Sequence, residues 1–483
     1  MNNLNVELFP HITEEVVSDI TGFKLCSYLV ALEGWRRGLT LTWYKDETTL
    51  CKLDRLKSST QGKFFSLSSN NKNHFFFRSR GDKVSNKSVR ICQDKEKTKN
   101  ILHQKDVPIP LGKVFETNDK DIFTYAENIG FPVVVKPLRG SMGKGVHTNI
   151  KSIDELDDVL TELKSAYNYS EYIVEKHYPG QEYRIYVVGD KVIGATNRVP
   201  ANIVGDGKNT VKTLIENKNN DRKKNPYLAP KPIKLDYEVL NSLKNYGYDI
   251  EGIPKLGERI NLREKSNLSS GGDPIEATDE LSEEIKQLAV DALKALPSIP
   301  HAGVDVIVDP VSSNRGVVLE VNATAEIGFH LFPLEGKARD VPAAIIDYYF
   351  PETIKKEKSN FFFDYNSILE PLKTWSADEV RVSSPPNDEI YGRKYIVTGQ
   401  VEKVGYMNRI RREALKMKLH GFVKKIGENK MEVTVLCKDE SEAEKFLDVC
   451  YKGSKKSKVN NVESLILESP KDSPFKLGFE III

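Results

Sequence analysis

The run Gly316-Val-Val-Leu-Glu-Val-Asn322 is apolar except at Glu320 and Asn322, two positions apart. That alternation predicts a strand with both polar side chains on one face. Upstream, residues 303–308 form a second apolar run whose only acid is Asp305. The turn-rich segment 309–315 between them allows antiparallel pairing, which would bring Asp305, Glu320 and Asn322 together as three oxygen donors. Buried acids of this kind need a cation to neutralise them. Mg2+ takes such oxygen ligands and completes its shell with phosphates. On an exposed sheet face the same acids would merely meet water, and these residues alone leave both readings open.

The same periodicity divides the chain. Residues 1–90 read as a small α/β unit. It has a helix over 23–37 (Leu25, Leu29 and Leu32 in step), a strand over 39–44, and a hairpin of 63–67 with 74–78 around Asn70-Asn71. A second unit, 91–352, opens with a helix containing Asp94 and Lys95. Strands over 131–136 and 172–175 flank a helix over 154–167, and a hairpin of 183–188 with 191–196 turns at Gly189-Asp190. Thr278 is the expected N-cap of a helix over 279–296. The polar excursion 197–272, rich in Asn, Lys and Gly, shows little core signal and reads as a functional lid or binding loop. Residues 353–389 read as a linker whose Phe361, Phe362 and Phe363 dock on a neighbouring domain. Residues 390–483 carry a βαββαβ rhythm: strands over 393–401, 421–426, 431–436 and 476–483, helices over 407–418 and 440–450. That order is ferredoxin-like, and the overall class is α/β (α+β).

Composition narrows the function without choosing it. The 483 residues, 39% hydrophobic and 29% charged, suit a soluble globular protein of about three domains. A net charge of +2 argues against a chain dedicated to nucleic acid. Residues 1–10 lack the basic start and apolar stretch of a secretory signal. No apolar run approaches the roughly 18 residues that cross a bilayer. Cys26, Cys51, Cys92, Cys437 and Cys450 are scattered and without CxxC spacing. They read as reduced thiols, and the expected location is cytoplasmic.

Candidate phosphate chemistry lies along the second unit. Lys136 ends the run Pro132-Val-Val-Val-Lys136 and precedes Gly140-Ser-Met-Gly-Lys-Gly145. Glycines let backbone N–H groups approach phosphate oxygens, and a nearby lysine adds a point charge. A glycine-rich turn is also often only a turn, and Lys95 on a helix face can simply be solvated. Glu175-Lys176 ends a strand, with Glu182 at a spacing that suits a ribose contact or plain surface decoration.

In serial order, Asp94-Lys95, Val134-Val-Lys136 with its glycine loop, Glu175-Lys176 with Glu182, Asp305 and Glu320-Val-Asn322 resemble the ATP-grasp superfamily over roughly 90–352. Arg198-Val-Pro-Ala-Asn-Ile-Val-Gly-Asp-Gly207 and Ser266-Asn-Leu-Ser-Ser-Gly-Gly272 resemble the ATP-grasp modules of cyanophycin synthetase and bifunctional glutathione synthetase. The resemblance implies an ATP-grasp fold behind an N-terminal pre-grasp domain. It also implies an ADP-forming ligase that joins a carboxylate to an amine through an acyl phosphate. Implied cofactors are ATP and Mg2+, with Mn2+ as a substitute. Lys95 and Lys136 would hold the phosphates under a lid that includes Gly140, Ser141, Gly143 and Gly145. Glu175 and Lys176 match the adenine hinge and Glu182 the ribose carboxylate; Asp305, Glu320 and Asn322 match the metal ligands. Arg198 and Asn267 fall near the γ-phosphate and the activated carboxylate. Arg184 reads equally as a further site residue or a structural ion pair. The expected partners are a small-molecule carboxylate and amine, without membrane or nucleic acid, and with homo-oligomers left open. Competing readings are a ligase acting on a peptide or protein tail, and a nucleotide-binding regulator without turnover.

Two departures follow from that resemblance. After Asn322 the branch has a proline and small residues before a histidine, whereas Ala323-Thr-Ala-Glu-Ile-Gly-Phe-His330 carries Glu326. In the third unit, Tyr395–Met407 with Gly421-Phe-Val-Lys-Lys425 resembles an acylphosphatase domain, whose phosphate-binding arginine and water-orienting asparagine are replaced by Met407 and Lys425. Methionine donates no hydrogen bond to phosphate, and lysine cannot accept the proton of an attacking water. Loss of hydrolysis is therefore expected.

Overall fold

The computed structural model describes residues 6–45, 53, 61–138, 145–166, 169–386, 390–467 and 474–482. In the N-terminal unit, helix Phe23–Arg36 is buried along nearly its whole length. It packs on an antiparallel sheet of Glu379–Arg381, Thr40–Tyr44, Phe64–Ser68, Asn73–Phe77 and Arg80–Gly81, in that spatial order. Aromatic side chains explain the close packing, with Trp43 and Phe76 flanking Phe65 at ring distances of 4.8 and 5.3 Å.

Residues 353–386, the described part of the expected linker, are built into this unit rather than strung out. Tyr28 Oη donates to Phe363 O at 3.1 Å and Trp35 Nε1 to Ser383 O at 2.8 Å. Glu379–Arg381 adds the edge strand. The expected docking of Phe361, Phe362 and Phe363 is borne out, since all three are buried in the N-terminal core.

The second unit holds two antiparallel sheets. One has the order Gly112–Glu116, Glu171–Lys176, Val133–Pro137, His147–Ile150. The other runs Asp273–Glu276, Lys191–Val199, Gln181–Val188, His301–Val308, Gly316–Asn322. Helix Glu283–Ala295 buries Ile285, Ala289 and Leu293 against the second sheet. Its N-cap is Ser282, whose hydroxyl accepts from Ile285 N. Thr278, the expected cap, is spent elsewhere: its Oγ1 accepts from Ala195 N at 2.7 Å. The excursion 197–272 also departs from expectation. It contains helices Val211–Lys223 and Tyr237–Asn245 and a paired strand, Asn202–Val204 with Arg259–Asn261. Ala201, Ile203, Val211, Ile215, Val239, Leu243, Ile260 and Leu262 give it a small core of its own. Widely spaced apolar residues in a polar background hid that core from a periodicity reading.

The C-terminal unit has the strand order Lys458–Ile466, Tyr391–Gln400, Lys430–Cys437, His420–Gly427, Phe479–Ile482. Helices Tyr406–Lys416 and Glu440–Lys452 bury Ile410, Ala414, Ala443 and Phe446 in its core. The ferredoxin-like alternation stands, but Lys458–Ile466 is a strand that the sequence reading passed over. Its alternation is polar on the exposed face and only Val462 is buried. Among the described residues no helix is long and apolar enough to cross a membrane. Cys26, Cys92, Cys437 and Cys450 are free thiols.

Candidate active site

Strand register sets the first cluster. Asp305 lies opposite Glu320 on one side and opposite Arg184 on the other, while Gly303 faces Asn322. The Asx turn after Val308, in which Asp309 Oδ1 accepts from Val311 N at 2.8 Å, fixes that pairing. Asp305 is fully buried and receives Arg184 through both Nε and Nη2, and Arg198 Nη2 at 2.8 Å. Arg198 also reaches Glu182. Asn322 Nδ2 donates to Glu320 Oε1 at 2.9 Å, and Arg184 Nη2 stands 3.8 Å from the same carboxylate.

Burial would push the Asp305 carboxyl up, but Arg184 and Arg198 overcome it and hold it down to about 2. Glu182 goes the other way: burial raises it, Asp305 and Glu320 add to the effect, and Arg198 and Arg184 oppose it. Arg184 is thus a buried ion-pair partner of Asp305 within this cluster.

A second cluster sits on the other sheet. The ammonium groups of Lys99 and Lys136 both grip the Glu175 carboxylate, Lys136 at 2.8 Å, and Glu175 is only 2% exposed. Burial alone would raise Glu175; Lys136 and Lys99 together hold it below the usual carboxylate range. Burial lowers Lys99 to about 8, with Lys136 adding to the fall and Glu175 opposing it. Lys99 was absent from the sequence reading. Its spacing four residues beyond Lys95, on one helix face, was the available signal.

Lys95 ties the clusters together. It opens helix Lys95–His103, capped by Asp94, whose side chain accepts from Lys97 N. Burial lowers its pKa, the Glu320 carboxylate of one sheet opposes the fall, and Lys136 and Glu175 of the other sheet act on it too. Residues from both sheets thus converge on one half-buried ammonium. Lys99 and Lys136 against the single Glu175 carboxylate make this end positive. Arg184 and Arg198 against Glu182, Asp305 and Glu320 leave the other end one negative charge in excess.

The remaining expected residues divide. Gly140, Ser141 and Gly143 lie outside the described residues. Gly145 has φ +67, and a Cβ there would stand 3.0 Å from Pro137 Cγ, so the turn favours glycine. Lys176 Nζ donates to Gly130 O and Phe131 O at 2.9 and 3.1 Å, closing the end of helix Asp121–Ile129. Its side chain and that of Glu175 are thus engaged by protein groups rather than presented to a base. Asn267 caps a short turn, its Oδ1 accepting from Ser269 N at 3.2 Å and Ser269 Oγ at 2.9 Å. That turn lies beside the Arg198 strand: a Cβ on Gly272 would stand 2.9 Å from Asn267 O and 3.0 Å from Val199 O.

Among the described residues no group of three or more His, Cys, Asp or Glu is arranged as a metal site. The candidate set is smaller in acids, two carboxylates and an amide. No donor among the described residues reaches Glu320 Oε2 or Asn322 Oδ1. Those free oxygens and the surplus negative charge suit a hard divalent cation.

In the C-terminal unit, Lys425 Nζ pairs with Glu402 Oε2 at 2.8 Å, and Asn429 N donates to Glu402 Oε1 at 2.6 Å. Lys403 adopts φ 56 in the loop that leads to Gly405 and helix Tyr406–Lys416. Met407, on that helix, packs against the domain core.

Residues 92–213 match the RimK-like ATP-grasp domain. Over that stretch the chain resembles an ATP-grasp domain. Residues 393–481 match the acylphosphatase domain. Cyanophycin synthetase of Geminocystis herdmanii is 33% identical over 279 residues, which is 56% of this chain and 32% of the relative. The glutathione biosynthesis bifunctional protein GshAB of Clostridium perfringens is 32% identical over 339 residues, 68% of this chain and 41% of the relative. A bifunctional glutathione synthetase from Pasteurella multocida is structurally similar with a TM-score of 0.48 and 29% identity, over 61% of this chain and 41% of the other. The chain thus spans about a third of the length of the cyanophycin synthetases that it matches.

Proposed function

We propose that the chain is an ADP-forming ligase that joins a carboxylate to an amine through an acyl phosphate, acting on amino-acid-derived small molecules. The observation that carries this reading is a pair of clusters, Lys99 and Lys136 on Glu175 in one sheet and Asp305 in register with Glu320 in the other, with Lys95 feeling the carboxylates of both. A positive end beside a negative end suits a triphosphate together with its cation.

In the first half-reaction a carboxylate oxygen bonds to the γ-phosphorus while the bond to ADP breaks. In the second, the amine nitrogen bonds to the acyl carbon, the acyl–oxygen bond breaks, inorganic phosphate leaves and the nitrogen sheds a proton. Lys95, Lys99 and Lys136 would neutralise the phosphates, Lys136 and Lys99 exchanging Glu175 for phosphate oxygens. Arg198, next to Asp305, would face the charge developing at the transferred group. Asp305, Glu320 and Asn322 would hold Mg2+, or Mn2+, which when bound supplies charge neutralisation at the phosphate oxygens. The reaction needs no covalent nucleophile, in keeping with four buried or half-buried thiols, of which burial raises Cys26 to about 11 and Cys92 to about 12.

The reading implies a cytoplasmic enzyme, where ATP is available, and invokes neither nucleic acid nor membrane. Incubation with Mg-ATP and an amino-acid pool, followed by mass spectrometry, tests it. Steady ADP release that requires both a carboxylate and an amine is expected. ADP release indifferent to the amine, or none at all, would defeat it.

A further inference from the structure

Beyond Asn322 the chain enters a junction of three units. Ala325 sits against the carboxylate cluster: a Cβ on Gly303 would stand 2.8 Å from Arg184 Cδ and 2.9 Å from Ala325 Cβ. The N-terminal unit pins this segment, Ser79 Oγ donating to Ala325 O at 2.6 Å and Ile327 N lying 3.4 Å from Cys26 Sγ. The folded excursion closes the third side. Tyr227, 2% exposed, donates its hydroxyl to Glu326 Oε2 at 2.5 Å. Lys231 Nζ reaches the same oxygen at 3.3 Å while standing 3.2 Å from the centroid of the Tyr227 ring.

Both bonds fall on Oε2, and no donor among the described residues reaches Glu326 Oε1. The Glu326 side chain keeps 25% exposure, against 11% for Lys231, so the free oxygen is reachable from outside. A half-buried carboxylate with one oxygen anchored and one open is a receptor for a charged donor. Its place, next to the segment that touches Arg184, is beside the proposed reacting centre. A surface ion pair that merely stapled the excursion down would not need the tyrosine as a second anchor.

We propose that Glu326, oriented by Tyr227 and Lys231, determines specificity in the amine subsite by accepting the protonated amino group of an amino-acid-derived acceptor and taking one proton from it, which frees the nitrogen lone pair to attack the acyl carbon. The assignment rests on the ligase reading, and hydroxylamine separates the two. Hydroxylamine is small and uncharged at neutral pH, so it intercepts an acyl phosphate without a receptor for an ammonium group.

Wild-type protein with Mg-ATP, N-acetylated amino acids as carboxylates, and either hydroxylamine or free amino acids as nucleophile gives two yields, hydroxamate and amide. In Glu326→Gln, hydroxamate should stay at the wild-type level while the KM for the amino acid rises about tenfold or more, the loss expected for a charge-assisted hydrogen bond. Glu326→Asp should recover part of that loss, and Tyr227→Phe should raise the same KM less. An unchanged amine KM in Glu326→Gln, or hydroxamate and amide falling together, would overturn the assignment. Absence of both products from the wild type would defeat the ligase reading itself, and this assignment with it.

Discussion

The ATP-grasp cleft and the acylphosphatase-type loop each bring lysines to a place where related domains handle phosphate, yet they treat their own charges differently. In the cleft, two lysines share one buried carboxylate and a third, Lys95, lies within reach of both sheets. The pair Lys99 and Lys136 has one more charge than the carboxylate that they share. In the C-terminal loop, Glu402 takes Lys425 and the Asn429 amide, and Met407 presents a thioether to the core. The loop supplies its own anion. Two lysines sharing one buried carboxylate therefore separate the candidate phosphate site from the C-terminal loop, where Lys425 has a carboxylate of its own.

The largest effect should come from removing that excess. Lys136→Ala should cut ADP formation about a hundred- to a thousandfold, measured by coupled ADP release. Glu320→Gln should lose activity on the same scale with an unchanged melting temperature, because its side chain is 41% exposed. Near-wild-type turnover in either variant would erase the contrast.

Asp305→Asn should act on stability as well, leaving Arg184 and Arg198 without their buried partner at a cost of about 3–5 kcal/mol in urea unfolding. Acid titration sharpens the point. The Asp305 carboxyl is held down to about 2 in the folded chain, below its unfolded value near 4. Its contribution is complete above pH ~4 and is lost as pH falls toward ~2. Asp305→Asn should flatten that part of the stability curve, whereas Glu402→Gln should leave it almost as it is in wild type. Smallest of all, Met407→Arg with Lys425→Asn should leave ligation within about twofold, as for most surface changes. A large gain in ligation would mean that the C-terminal domain takes part in the chemistry.

Much of the cleft was legible because its logic is local. Glu320 and Asn322 alternate on one strand, and a short turn brings back Asp305, so register follows from sequence spacing. Lys99 was visible in principle, one helical turn past Lys95. Arg184 meeting Asp305 was not, since 121 residues separate them and only the pairing of their strands reveals it. The same holds for Tyr227 with Glu326, which are 99 residues apart. The core of the excursion escaped because its apolar residues are sparse, and the return of residues 361–382 to the N-terminal sheet escaped because hydrophobic periodicity says nothing about which distant strand a segment will join.

That return has a consequence for biosynthesis. Strand Thr40–Tyr44 emerges early, but its outer neighbour, Glu379–Arg381, and the carbonyl of Ser383 that satisfies Trp35 come from far down the chain. During translation the first unit must wait, with an aromatic core incomplete and a sheet edge uncovered, while the whole cleft is made. Closure of a loop that long is slow and comes late. The unit is made before the strand that completes it and is among the last to finish folding, so chains released early would expose a sticky edge for chaperones to shield.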